Sequence, residues 1–128
     1  MEDKETQILV VEDSPTTRQQ ITKLLIQAGY EAVSAQDGEE ALSLASELHP
    51  ELVILDIVLP KKNGYQVCRS IKNNPDLAVK VMMLTSKCQE KDRLWGARQG
   101  ADAYLAKPID SEELLGAVET FLIPANNH

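Results

Sequence analysis

The chain has 128 residues, enough for one domain that buries roughly two-thirds of the surface its unfolded form would expose. A formal charge of -7 at pH 7 argues against the phosphate backbone of nucleic acids as a partner, and no apolar run exceeds four residues, which leaves neither a membrane span nor a signal-peptide core. Cys68 and Cys88 have no Cys-x-x-Cys spacing and His49 and His128 stand far apart, so zinc and a disulfide framework are disfavoured and reduced thiols in a cytoplasmic protein are expected.

Residues 1–6 and 124–128 are polar and read as flexible tails around a domain of residues 7–123. The apolar run Ile8-Leu9-Val10-Val11 predicts a buried strand and ends on Glu12-Asp13. Ser14-Pro15 then opens a helix with Ile21, Leu24, Leu25 and Ala28 at helical spacing, and Gly29 stops it. Tyr30 to Ala35 alternates enough for a short strand. Asp37-Gly38-Glu39-Glu40 resembles a capping box, ahead of a stripe of Ala41, Leu42, Leu44, Ala45 and Leu48. His49 follows at the helix end, where a cation meets the dipole favourably, and reads as structural.

Leu52-Val53-Ile54-Leu55 stops on Asp56 and reaches Pro60. Four successive apolar residues predict a strand buried on both faces, hence parallel and central. Lys61-Lys62-Asn63-Gly64 is a loop, and the next helix puts Val67, Cys68 and Ile71 on one face, with Cys68 in the core. Asn73-Asn74-Pro75-Asp76 breaks that helix. Val81-Met82-Met83-Leu84 is a fourth strand ending in Thr85-Ser86. A helix is predicted over 89–99, before Gly100. Ala103-Tyr104-Leu105-Ala106 is a short fifth strand ending in Lys107-Pro108. Asp110-Ser111-Glu112-Glu113 opens the last helix, with Leu114, Leu115, Val118 and Phe121 facing inward.

Five strands alternating with five helices predict an α/β fold whose parallel sheet is covered on both faces. Glu12, Asp13, Asp56, Thr85 and Lys107 all fall at carboxyl ends of strands. A doubly wound sheet gathers those ends at one edge, beside its switch point. Carboxylates about 5 Å apart at an effective dielectric near 20 repel by roughly 3 kcal/mol per pair, which a hard divalent cation removes. Asp56 could then accept a phosphoryl group, with Lys107 as a point-charge donor and Thr85 as a hydroxyl donor to its oxygens. Each residue alone has a plainer role. The acid pair could cap a helix, Thr85 could be an N-cap and Lys107 a solvated charge. Their coincidence at four strand ends favours the joint site.

Leu9-Val10-Val11-Glu12-Asp13-Ser14, Val53 to Pro60, Met83-Leu84-Thr85-Ser86 and Gly100 to Pro108 together resemble the receiver domain of two-component response regulators. The resemblance implies a flavodoxin-like (βα)5 fold with sheet order 2-1-3-4-5. It implies phosphorylation of Asp56 by a histidine kinase, with Mg²⁺ (or Mn²⁺) held by Asp13, Asp56 and the Val58 backbone carbonyl, and by Glu12 mainly through water. Thr85 and Tyr104 would be the switch pair, the Lys107-Pro108 bond would be cis, and a downstream protein would read the face of the fourth helix, fifth strand and fifth helix. Residues 87–100 look like the fourth-helix region of single-domain regulators from pilus-type chemosensory systems. Trp95, in that region, is as suited to reporting the switch as to packing on its own helix.

Val58 and Lys87 flank the expected phosphate site, and neither offers an acceptor to orient an attacking water, which predicts slow phosphoryl loss. A dehalogenase-type phosphatase would need an acid where Val58 stands. A flavin-binding relative would need a phosphate loop where Glu12-Asp13-Ser14-Pro15 is acidic, and Gly-x-Gly-x-x-Gly is absent. The remaining alternative is a receiver-like adaptor that keeps the fold but is not phosphorylated. No DNA-binding output domain is expected, since the receiver motifs span the chain.

Overall fold

The computed structural model describes residues 7–86 and 100–122. The expected helix over 89–99, Lys87, Cys88, Trp95 and both tails lie outside them. Five parallel strands, β1 (Ile8–Val11), β2 (Ala32–Ala35), β3 (Leu52–Asp56), β4 (Lys80–Thr85) and β5 (Ala103–Ala106), form one sheet in the order β2-β1-β3-β4-β5. This is the flavodoxin-like order, and its reversal beside β1 puts the switch point between β1 and β3. Helices α1 (Pro15–Gln27), α2 (Gly38–Leu48), α3 (Gly64–Lys72) and a C-terminal helix (Ser111–Glu119) complete the described elements.

The continuous apolar runs become strands with no exposed face because each side of a strand meets a different core. Ile8, Val10, Leu52, Ile54, Met82 and Leu84 pack with Ile21 and Leu25 of α1 and with Leu114 and Val118 of the C-terminal helix. Leu9, Val11, Val53, Leu55, Val81 and Met83 point the other way, onto Ala41 and Ala45 of α2 and Val67, Cys68 and Ile71 of α3. Alternate residues of one strand thus feed opposite layers, as the two-residue pleat requires. Cys68 is core, as its helical spacing implied, and burial pushes its thiol up to about 11.

Local chemistry sets the helix starts. Ser14 caps α1 with Pro15 following, Asp37 accepts from the Glu40 amide at 2.8 Å, and Asp110 accepts from the Glu112 amide. The α2 box is not reciprocal: the Glu40 carboxylate accepts from the Gln36 amide, one residue earlier than a full box would have it. The full box instead opens α3, where Asn63 and Gln66 exchange side-chain-to-backbone bonds. His49 ends α2 by adopting a left-handed conformation, φ 49°, from which its amide bonds the Ala45 carbonyl. Its structural role is therefore a backbone one. Second-strand pairing begins at Ala32 rather than Tyr30, which is buried beneath the sheet end.

Candidate functional site

The register fixes where the polar strand ends fall. Val11 lies opposite Leu55 and Asp56 opposite Leu84, so Glu12 and Asp56 leave adjacent strands side by side. Thr85 lies opposite Ala106, which brings Lys107 to the same edge. The expected cluster forms: carboxylate oxygens of Glu12, Asp13 and Asp56 lie within 4.8 Å of one another. Glu12 is 1% exposed and Asp56 7%, whereas Asp13 faces solvent.

Lys107 closes the cluster. Its ammonium donates to Glu12 Oε1 at 2.7 Å and to Asp56 Oδ2 at 2.9 Å. The second Glu12 oxygen accepts from the Ser14 amide at 3.2 Å, and Asp56 Oδ1 accepts from the Val58 amide at 3.2 Å. Burial raises the Glu12 carboxyl above its ordinary range, and the Asp56 charge adds to this against the bonds from Lys107 and Ser14. For Lys107, burial would lower the ammonium, but bonds to Glu12 and Asp56 and their charges overcome it, and it is raised.

Two glycines hold the loop after β3 against the site. A Cβ at Gly64 would stand 2.6 Å from Ile57 Cα and would also overlap the Asp56 carbonyl oxygen. The Gly64 amide donates to the Ile57 carbonyl at 2.7 Å, so the start of α3 lies directly on the residues that follow Asp56. A Cβ at Gly38 would meet the Lys62 carbonyl oxygen at 2.6 Å from the α2 side. Neither glycine announced this role in the sequence, because both stand at helix starts where a turn alone would explain them.

Val58 stands beside the cluster with 73% of its surface exposed, and Lys87 lies outside the described residues. Thr85 is buried at the end of β4. Strand alternation puts it and Tyr104 on the same face of the sheet, with Tyr104 half-buried against the layer of α2 and α3. The Lys107-Pro108 peptide is cis, as the family resemblance implied. Arg18, which sequence reasoning passed over, reaches from α1 to the backbone of the acid pair: its Nη1 donates to the Glu12 carbonyl at 2.8 Å and to the Asp13 carbonyl at 3.4 Å.

The donor set suits a hard divalent cation. Three carboxylates against one ammonium leave two negative charges, and all the donors are oxygens. Opposite ligands of octahedral Mg²⁺ are about 4 Å apart, so a 4.8 Å spread is met by a small inward movement or a bridging water.

This fold with this acid cluster and its conjoined lysine defines a receiver, and residues 8–119 match the response regulator receiver domain family, to which the chain belongs. Protein PilH of Pseudomonas aeruginosa is 40% identical over 116 residues, which cover 90% of this chain and 96% of that one. The probable transcriptional regulator ycf27 of Porphyridium aerugineum is also 40% identical, but the chain spans 47% of its length. Among solved structures, chemotaxis protein CheY4 of Vibrio cholerae superposes with a TM-score of 0.87 at 29% identity, covering 93% of this chain and all of that one. Among the described residues, no helix is long and apolar enough to cross a membrane.

Proposed function

We propose that this protein is a phosphoacceptor switch in the cytoplasm, in which Asp56 takes a phosphoryl group from the phosphohistidine of a histidine kinase. The observation that carries this reading is the buried contact of Asp56 with Lys107 and Glu12 at the mouth of the sheet, beside the solvent-facing Asp13. An Asp56 carboxylate oxygen forms a bond to phosphorus while the phosphorus–nitrogen bond breaks, and its electron pair stays on the imidazole nitrogen. A bound Mg²⁺ would supply charge neutralisation for the phosphoryl group. Glu12, Asp13, Asp56 and the Val58 carbonyl are the groups that would hold it. Lys107 orients and neutralises the phosphoryl oxygens, and Thr85 donates its hydroxyl to them. Because Lys107 already bonds Asp56, the acceptor and its cationic partner are assembled before phosphate arrives.

Phosphorylation adds about two negative charges at the strand tips. Thr85 is drawn toward them, and Tyr104, on the same sheet face, moves into the space vacated. The face of β5 and its flanking helices then differs between the two states, which a downstream protein can distinguish. Similarity to PilH and to a chemotaxis protein favours a motility-type chemosensory pathway. Exposed Val58 offers no acceptor to hold water in line, nor does Lys87, so phosphate loss is slow.

Acetyl phosphate with Mg²⁺ should add one phosphoryl group to the wild type and none to Asp56→Asn. Equal labelling of the Asn variant, or labelling indifferent to EDTA, refutes the assignment. Val58→Asn with Lys87→Glu should release phosphate roughly ten- to a hundredfold faster. An unchanged rate removes these two residues from the clock.

A further inference from the structure

We infer that Arg18 is a positioning residue for the divalent-cation site, acting on the backbone of Glu12 and Asp13 rather than on their carboxylates. The inference rests on the reading of the acid cluster as a cation site. Ladder bonding of β1 ends at Glu12, whose amide donates to the Ala35 carbonyl at 3.1 Å. Beyond that point, among the described residues, no strand backbone bonds the Glu12 carbonyl or the Asp13 peptide groups.

Arg18 takes over there. Its Nη1 donates to the carbonyls of both Glu12 and Asp13, at 2.8 and 3.4 Å, and no described carboxylate forms an ion pair with it. Its own backbone is held by the first full turn of α1, through its amide to the Ser14 carbonyl at 2.9 Å. Thr22 Oγ1 adds a bond to the Arg18 carbonyl at 2.8 Å. The guanidinium is thus a rigid strut from α1 to two consecutive peptide planes, and it fixes the direction in which the Glu12 and Asp13 side chains leave the chain.

Two effects of Arg18 on cation binding have opposite signs, and this makes the inference testable. A nearby positive charge repels a cation, so removing it would tighten binding. An orienting hydrogen bond behind the ligands strengthens binding, and losing such a bond costs about ten- to a hundredfold in metal affinity. The carbonyl contacts point to the second effect. Lysine keeps the charge but lacks the planar fork, so Arg18→Lys retains the repulsion while losing part of the strut.

The experiment titrates wild type, Arg18→Gln and Arg18→Lys with Mn²⁺, reading free ion by its electron paramagnetic resonance signal and displacement by Mg²⁺. Thermal midpoints are taken in EDTA alongside. Arg18→Gln should weaken Mn²⁺ binding about tenfold and Arg18→Lys by an intermediate factor, with both melting within a few degrees of wild type. Equal or tighter binding by Arg18→Gln overturns the inference, because charge repulsion then outweighs positioning. Midpoints that fall in proportion to affinity in both variants also overturn it, because the role is then general stability. A wild type that binds no Mg²⁺-displaceable Mn²⁺ overturns the cation-site reading itself, and this inference with it.

Discussion

Gly64→Ala separates steric necessity from helix propensity at the base of the acceptor loop. Alanine is the better helix former by about 1 kcal/mol, and Gly64 is the first residue of α3, so propensity alone predicts stabilisation. The new Cβ would, however, lie 2.6 Å from Ile57 Cα, where ordinary contact begins at 3.4 Å. The obstructing atoms are backbone on both sides, so no side chain can turn aside. Either α3 or the Asp56–Ile57 peptide must move by at least about 0.8 Å, with the Gly64 amide to Ile57 carbonyl bond stretched from 2.7 Å. Overpacking of this kind costs about 1–3 kcal/mol, which outweighs the propensity gain at most of that range. A net loss of up to about 2 kcal/mol should lower the melting temperature by up to roughly 8 °C. Because the displaced peptide belongs to the acceptor residue, the rate of labelling by acetyl phosphate should fall as well, even where the protein is fully folded. Gly116→Ala is the control: the same exchange in the C-terminal helix meets nothing within 4 Å and should raise stability by about 0.5–1 kcal/mol. Urea titrations of both variants give the comparison. If Gly64→Ala gains as much as Gly116→Ala, the packing argument for the acceptor loop is wrong.

The raised Glu12 pKa makes the folded state hold this proton more tightly than the unfolded chain does. Its contribution to stability is therefore full below the ordinary 4.5 and is lost as pH rises through the folded value. In EDTA, Glu12→Gln should melt higher than wild type at pH 7, with the advantage shrinking toward pH 4; a variant equally destabilised at both refutes this. With burial holding its thiol near 11, Cys68 should resist iodoacetamide at pH 8 in the folded protein and react in urea, as peptide mass mapping would show. Asp102 accepts from the Val81 amide at 2.8 Å and from the Lys72 ammonium at 2.9 Å, joining α3 to the entries of β4 and β5. Asp102→Asn should cost about 1–2 kcal/mol in denaturant titrations without altering phosphorylation of Asp56.

The sequence by itself carried the strand count, the parallel sheet and the acidic edge. Runs such as Leu52 to Leu55, apolar on every residue, have no stable setting but a strand covered on both faces, and a covered parallel sheet directs all its carboxyl ends one way. Glu12, Asp13, Asp56, Thr85 and Lys107 followed from that geometry, since each terminates such a run. Helix starts were legible where one side chain caps them, as at Ser14 and Asp37. The reciprocal box at Asn63 and Gln66 went unread because Lys61 to Gly64 is equally good as a simple turn.

Other features depended on groups distant in sequence coming together. That Lys107 bonds Glu12 and Asp56 at once, 95 and 51 residues away, depends on the registers of β1, β3, β4 and β5 together. The need for glycine at 64 arises from the closeness of α3 to the Asp56–Ile57 backbone. Arg18 looks in the sequence like any polar residue of an exposed helix face, and its bonds to the carbonyls of Glu12 and Asp13 exist only because α1 turns back over the end of β1. Hydrophobic periodicity reports which side of an element is buried. It is silent on which backbone atoms another element will touch, because that depends on tertiary packing and on no residue alone.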